Sequence, residues 1–132
     1  MARLAILEDN DRLLRRRLED LRARLPSLIE ARCCAAMVIG SVARGEAGDR
    51  SDLDVLVVLR EGLPRRSDYD WWERAVAPGL GALASAPFPV EPLIVGRPAL
   101  TTTEPNLRDA LASGIRLWDP EGVFDDQPAA RP

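Results

Sequence analysis

Two acidic residues, Asp52 and Asp54, flank a leucine at the start of a run rich in β-branched residues, LDVLVVL. Side chains two apart on a β-strand point to the same face, with Cα atoms roughly 6.5 Å apart. Leu53 would then point into the core, while both carboxylates lie on the opposite side. Mg²⁺ suits such a pair because it takes one or two carboxylates and completes its coordination with water and substrate phosphate oxygens. The spacing therefore predicts a metal site at a strand end.

A Gly-Ser pair precedes these acids, with ten residues between Ser41 and Asp52. Gly40 ends a short apolar run, and a glycine there lets the backbone approach a ligand closely. The Ser41 hydroxyl and the N–H groups of a following helical turn suit a phosphate oxygen. Arg44, three residues on, can share that helical face and clamp phosphate through its guanidinium. Arg50 and Ser51 are further phosphate-binding candidates.

A third carboxylate, Glu91, lies in another predicted strand, FPVEPLIV. If this strand neighbours the one that begins at Leu53, Glu91 reaches the same face as the two aspartates. A carboxylate beside a metal can accept the proton of an attacking hydroxyl. Two metals can clamp the entering and leaving oxygens of an in-line displacement.

The composition restricts which chemistry is available to these 132 residues. There is no histidine and no lysine, so all 18 basic residues are arginine. This excludes Ser-His-Asp and Cys-His catalysis, a histidine-ligated zinc site, a lysine Schiff base and a P-loop lysine. Carboxylates must do any acid-base or metal work, and arginines must bind any anion. A net charge of −3 argues against general nucleic-acid binding.

The elements that would position these residues alternate between helix and strand. Helices are predicted over residues 9–25, 67–86 and 104–113, with Ser67 as an N-cap and an interruption at Pro78 and Gly79, and one or two helical turns and a loop are predicted over 41–48. Strands are predicted over 35–39, 53–59 and 88–95, and residues 115–118 form a last short strand or an extended tail. Two prolines in the strand over 88–95 indicate a sheet edge or an irregular start of the strand. We expect an α/β (α+β) layer fold, a small mixed sheet with helices packed on it. Residues 1–118 would form one domain, followed by an acidic, proline-containing tail over 119–132.

Some apolar residues could serve either the core or a partner. Leucines at 14, 18, 21, 25 and 28 form one stripe on the first helix. Pro26 lies within that stripe and either kinks the helix or begins a second one. Trp71 and Trp72 are adjacent, so at most one can point directly into the core, and the other could mark a partner surface. Cys33 and Cys34 are expected to be buried thiols.

No apolar run in the sequence is long enough for a signal peptide or a membrane span, so we expect a cytoplasmic protein without membrane contact.

The segment VIGSVARGEAGDRSDLDVLVV resembles the signature of the nucleotidyltransferase superfamily that includes DNA polymerase β, and especially its small branch, the minimal nucleotidyltransferases. The resemblance is strong over residues 35–60 and weaker over 88–95. It implies the nucleotidyltransferase fold, with Gly40 and Ser41 binding nucleotide phosphate and Asp52 and Asp54 binding Mg²⁺. The third acid in the family is often Asp, and Glu91 stands in that place here.

The resemblance implies transfer of a nucleoside monophosphate, AMP from ATP, to a hydroxyl. Small members of this branch are paired with a helical HEPN-type toxin and act as its antitoxin by adding AMP to it, so a HEPN-type partner and a homo- or hetero-oligomer are expected. The leucine stripe and one tryptophan could form that interface. Two alternatives remain open: a stand-alone enzyme acting on a small molecule such as an aminoglycoside, and a non-catalytic antitoxin that neutralises by contact.

Overall fold

A four-stranded mixed sheet is the centre of the computed structural model, which describes residues 2–45, 52–84 and 89–126. The strands are β1 (Cys33–Ile39), β2 (Leu53–Leu59), β3 (Val90–Val95) and β4 (Ile115–Trp118), in the spatial order β3-β2-β1-β4. β1 pairs antiparallel with β2 and β4, and β2 pairs parallel with β3. The mixed sheet confirms the expected fold class, and β3 lies at an edge as its prolines predicted.

The strand predictions agree closely with the structure. β2 has the predicted bounds, while β1 begins two residues before the predicted start, at Cys33. All seven β1 residues are buried because helices or turns cover both of its faces. The predicted beginning of β3, Phe88, lies outside the described residues. β4 confirms a short last strand at the opposite edge.

One face of the sheet, the helix face, packs against α1 (Ala2–Ile29) and the helical region that follows β2. α1 is longer than predicted and contains Pro26, so no second helix begins there. The ring stands one turn from the helix end, where the Pro26 carbonyl still accepts a hydrogen bond from the N–H of Glu30 at 2.9 Å.

The leucine stripe of α1 belongs to the core. Leu21, Leu25 and Ile29 have no exposed surface, and Leu14, Leu18 and Leu28 are partly buried against the same cluster. The proposed use of this stripe as a partner interface is therefore wrong for its C-terminal half. The helix face of the sheet is lined by Leu53, Val55 and Val57, and burial of this apolar surface requires the leucines as its cover.

The helical region after β2 changes its hydrogen-bond register along its length. It consists of α3 (Arg66–Trp71), a π-helical turn (Trp72–Val76), α4 (Ala77–Leu80) and a 3₁₀ turn (Gly81–Ala84). The predicted interruption at Pro78 appears as the π turn just before it, because proline lacks the N–H that a regular α-helix would use.

Ser67 is not the N-cap of α3, so this part of the prediction is wrong. The helix begins at Arg66, and the Asp68 carboxylate accepts a hydrogen bond from the Arg65 N–H at 2.9 Å. The carboxylate therefore satisfies a backbone donor at the helix start from within the first turn.

The opposite face, the site face, is covered over part of its area. α5 (Pro105–Ser113) and two 3₁₀ turns supply Leu111, Leu100 and Phe124, which pack on β1 and β2. Phe124 is 1% exposed, so the segment after β4 contributes to the core. Glu104 caps α5 by accepting hydrogen bonds from the N–H groups of Asn106 and Leu107.

The adjacent cysteines are buried thiols, as expected. Burial, with smaller contributions from Cys34 and Asp68, raises the pKa of Cys33 from 9.0 to about 12. The thiolate is the reactive form of cysteine, so Cys33 is chemically inert at neutral pH.

Among the described residues, no helix has the length and apolar character needed to cross a membrane.

Trp71 and Trp72 differ in burial, as predicted from their adjacent positions on one helix. Trp72 is 1% exposed in the core, whereas Trp71 is half-buried, with the Arg32 guanidinium carbon 5.0 Å from its ring centroid. Trp72 is therefore excluded as a partner contact, and Trp71 remains available for one.

We expect Trp72→Ala to lower the free energy of unfolding by about 3–5 kcal/mol, because it empties a fully buried volume. Trp71→Ala, the matched control, should cost less than half as much, since it removes partial burial and one cation–π contact. Urea denaturation measures both, and Trp72→Phe is a milder variant if the alanine variant does not fold. Equal losses at the two positions would contradict this assignment of the core.

Candidate functional site

The Gly-Ser pair and the aspartates meet where β1 ends and β2 begins. Ile39, the last residue of β1, is the antiparallel partner of Asp54. The next residue, Gly40, has φ of +80° and begins α2 (Gly40–Ala43). The chain therefore turns sharply off the sheet beside the Asp54 side chain.

Gly40 cannot be replaced there without displacing a carboxylate. A Cβ atom built on Gly40 would lie 2.6 Å from Oδ2 of Asp54, far inside van der Waals contact. The positive φ is a second constraint, since it is strained for residues that carry a Cβ. The glycine thus lets the backbone pack directly against the carboxylate.

The parallel pairing of β2 with β3 places Asp54 and Glu91 directly across from each other. Partners in register lie on the same face of a sheet, with strands roughly 4.8 Å apart. The conditional prediction that Glu91 reaches the face of Asp54 is thus confirmed for the backbone. Glu91 is exposed, Asp54 is half-buried, and Leu53 has no exposed surface. The alternation predicted for β2 is therefore present.

Asp52 precedes β2 and is exposed, and its charge reaches Asp54. The pKa of Asp54 is raised above its ordinary value, first by burial of the carboxylate and second by repulsion from Asp52, while Arg44 lowers it. The two carboxylates thus lie close enough to repel each other, and one of them is partly buried, so a bound cation would relieve both penalties.

The described phosphate-binding candidates lie in α2 or at its end. Ser41 is half-buried in the first turn of α2. Arg44 is exposed at the end of that turn, close enough for its charge to act on Asp54. The remaining candidates, Arg50 and Ser51, lie outside the described residues.

The carboxylates do not form a closed metal cage. Within the described ranges, no three or more His, Cys, Asp or Glu side chains cluster closely enough to hold a metal ion. Asp52 and Asp54 offer two carboxylates, which is the number Mg²⁺ takes when a phosphorylated substrate supplies further ligands. Glu91 as a third ligand stays a prediction.

Leu93, which no motif in the sequence marks, lies two residues beyond Glu91 on the site face. Its side chain is 38% exposed. The alternation of β3 from Glu91 would have placed it there.

We expect Gly40→Ala to destabilise the protein more than Gly45→Ala. Both glycines have positive φ, +80° and +74°, but no atom lies within 4 Å of a Cβ built on Gly45. Gly45→Ala should therefore cost only the backbone strain, about 1–2 kcal/mol. Gly40→Ala should cost about 1–3 kcal/mol more because its methyl group overlaps Asp54. Chemical denaturation compares them, and equal losses would show that the carboxylate contact is unimportant.

We expect Asp54→Asn to raise the Tm of the metal-free protein at neutral pH. A carboxylate whose pKa is higher in the folded state favours folding while protonated, and this contribution is lost as pH rises from the ordinary value of 3.8 through the folded pKa. The amide resembles the protonated acid, so its advantage should vanish below about pH 4. Thermal melts across pH test this, with the exposed Asp109→Asn on α5 as control. A Tm advantage for Asp54→Asn that persists at pH 3 would contradict the electrostatic explanation.

Comparison with known proteins agrees with this geometry. A family profile described as a nucleotidyltransferase domain matches residues 14–94, more than half of the chain. No curated protein matches the sequence. Two solved structures share the fold: a toxin–antitoxin crystal structure with AMP-PNP (16% identity, TM-score 0.52) and a double Asp-to-Glu mutant of the toxin–antitoxin MntA-HpeT (13% identity, TM-score 0.51). In both, the match covers 79% of this chain and 77% of the other.

The matched region spans the carboxyl half of α1 and all of β1 and β2, and it reaches into β3. It therefore includes Gly40, Asp54 and Glu91, the residues that the sheet register brings together. The chain belongs to the nucleotidyltransferase domain family and is a nucleotidyltransferase.

Proposed function

We propose that this nucleotidyltransferase transfers AMP from ATP, with Mg²⁺, to a hydroxyl on a HEPN-type toxin protein, and so acts as its antitoxin. The observation that supports transfer is the register of Asp54 with Glu91 beside the Gly40 turn. This register brings two carboxylates to one face of the sheet, next to the turn at Gly40, a residue that has no side chain of its own. Such a face can accept a triphosphate and an acceptor together.

The residues present fit a divalent cation. The raised pKa of Asp54, caused by burial and by Asp52, indicates negative charge that Arg44, among the residues that the structure describes, offsets in part. Asp52 and Asp54 would hold Mg²⁺, with Glu91 as a further ligand. When bound, the ion would neutralise the triphosphate and polarise the α-phosphoryl group.

The other steps belong to groups of this chain. The backbone at Gly40 and the Ser41 hydroxyl bind the phosphate chain, and Arg44 and Ser51 add charge and a hydroxyl to the same task. Glu91 accepts the proton of the acceptor hydroxyl, because the chain has no histidine to do so. The acceptor oxygen then bonds to the α-phosphorus as the bond to the leaving pyrophosphate breaks.

The choice of a protein acceptor rests on the two toxin–antitoxin structures that share the fold and on the resemblance to minimal nucleotidyltransferases. AMP-PNP, an ATP analogue, is present in one of them, which favours ATP as the nucleotide. The half-buried Trp71, with Arg32 above it, is a composition typical of partner contacts.

The decisive experiment incubates the purified chain with Mg²⁺, the product of the neighbouring gene, and ATP labelled at either the α- or the γ-phosphate. Transfer of AMP predicts that α-label, and not γ-label, becomes bound to the partner. Asp54→Asn should lower the rate about a hundredfold or more, since several kcal/mol of charge stabilisation is lost. EDTA should have the same effect.

Asp109→Asn is the matched control and should transfer at the wild-type rate. Label from the γ-position would indicate phosphoryl transfer and would contradict the proposal. Label on an aminoglycoside in place of the partner would favour the stand-alone enzyme, and neutralisation of the partner without label would favour a binding antitoxin.

A further inference from the structure

The site face beside Glu91 contains an exposed leucine. Leu93 has 38% of its surface exposed, whereas Val95, two residues further along β3, is buried in the cluster that contains Leu100. The covering turns therefore stop short of Leu93. A single exposed leucine is ordinary on a protein surface. The position of this one, at i+2 from the proposed proton acceptor on the same face, is informative.

The outer edge of β3 is closed to another strand. The Leu53 N–H donates to the Pro89 carbonyl, which shows that the odd-numbered residues of this segment bond to β2. Residues 90, 92 and 94 therefore direct their N–H and C=O groups away from β2. Pro92 has no N–H, and the Ile94 N–H already donates to the Tyr69 hydroxyl at 3.1 Å. Two of the three outward positions of β3 therefore offer no free N–H, which disfavours the pairing of a substrate segment along β3 as an added strand.

An acceptor that reaches Glu91 over the site face comes beside Leu93, because the two side chains are two residues apart on the same face of β3. A polycationic sugar gains nothing from an exposed leucine, whereas an apolar side chain on a protein surface would bury it. Burial of the exposed part of Leu93, together with a matching apolar area on the acceptor, contributes enough free energy to change an affinity about tenfold.

We propose that Leu93 is an acceptor-specificity residue, which packs against an apolar side chain that neighbours the target hydroxyl on a protein substrate. This inference rests on the proposed transfer to a protein and narrows the acceptor to a hydroxyl within a partly apolar surface patch. Leu93 acts in recognition of the acceptor and takes no part in nucleotide binding.

The test compares Leu93→Ser with Leu63→Ser. Leu63, in the loop after β2, is 66% exposed, so it matches Leu93 in residue type and exceeds it in exposure. Both variants are assayed with α-labelled ATP, Mg²⁺ and the purified product of the neighbouring gene, and ATP affinity is measured separately by equilibrium dialysis. Leu93→Ser should raise the KM for the protein acceptor about tenfold, with ATP affinity unchanged, and Leu63→Ser should leave both unchanged.

Three further results would overturn the inference. An unchanged acceptor KM in Leu93→Ser, while the wild type transfers normally, would show that the acceptor does not contact Leu93. A parallel loss of ATP affinity would make Leu93 a nucleotide contact. Tyr69→Phe exposes the edge donor of Ile94, and if it altered the acceptor KM as strongly, strand pairing would be the mode of binding. Absence of label on the partner with the wild-type protein would instead refute the proposed function itself.

Discussion

The contact between the Gly40 backbone and the Asp54 carboxylate is the constraint on which the site depends. β1 must end and leave the sheet beside the first residues of β2, and its partner at that point, opposite Ile39, is an acid. Any Cβ at Gly40 would overlap the acid's Oδ2. The positive φ and the missing side chain therefore serve one purpose, to bring peptide groups and carboxylates to the same place. The sheet fixes this distance, because both residues adjoin strands that are buried nearly throughout.

Both faces of the sheet carry buried apolar clusters, but the candidate site lies on only one of them, the site face. The helix face is packed by α1 and the region around Trp72, which bury its apolar side chains almost completely. The site face is covered only in part, by groups such as Phe124 and Leu100. At its remaining end, Asp54 is half-buried and is charged at a cost that its raised pKa reveals. The buried clusters on the two faces supply the stability that offsets this penalty, and ligand binding would remove it.

The sequence predicted the elements near the site better than their relations in space. The β-branched residues of β2 and the Gly-Ser and Asp-Leu-Asp spacing are local signals, so their strand and its alternation were correct. The pairing of Asp54 with Glu91 depends on a parallel crossover of 30 residues, from 60 to 89, which no local pattern encodes. Capping at Arg65 was missed because the acid that satisfies it lies inside the helix. The leucine stripe was ambiguous, since a helix covered by its own sheet has the same periodicity as one covered by a partner.

The composition of β3 follows from its position at an edge that must carry a functional carboxylate. Only the side of the strand that faces β2 needs N–H donors, so Pro92 can stand immediately after Glu91 without the loss of a ladder bond. Tyr69, from α3, occupies the next outward donor. An exposed edge invites association with other strands, and that association would crowd the acid. Pro92 and the Tyr69 hydroxyl disfavour this strand association without the use of a charged residue. Glu91 therefore stays accessible to a substrate on the site face.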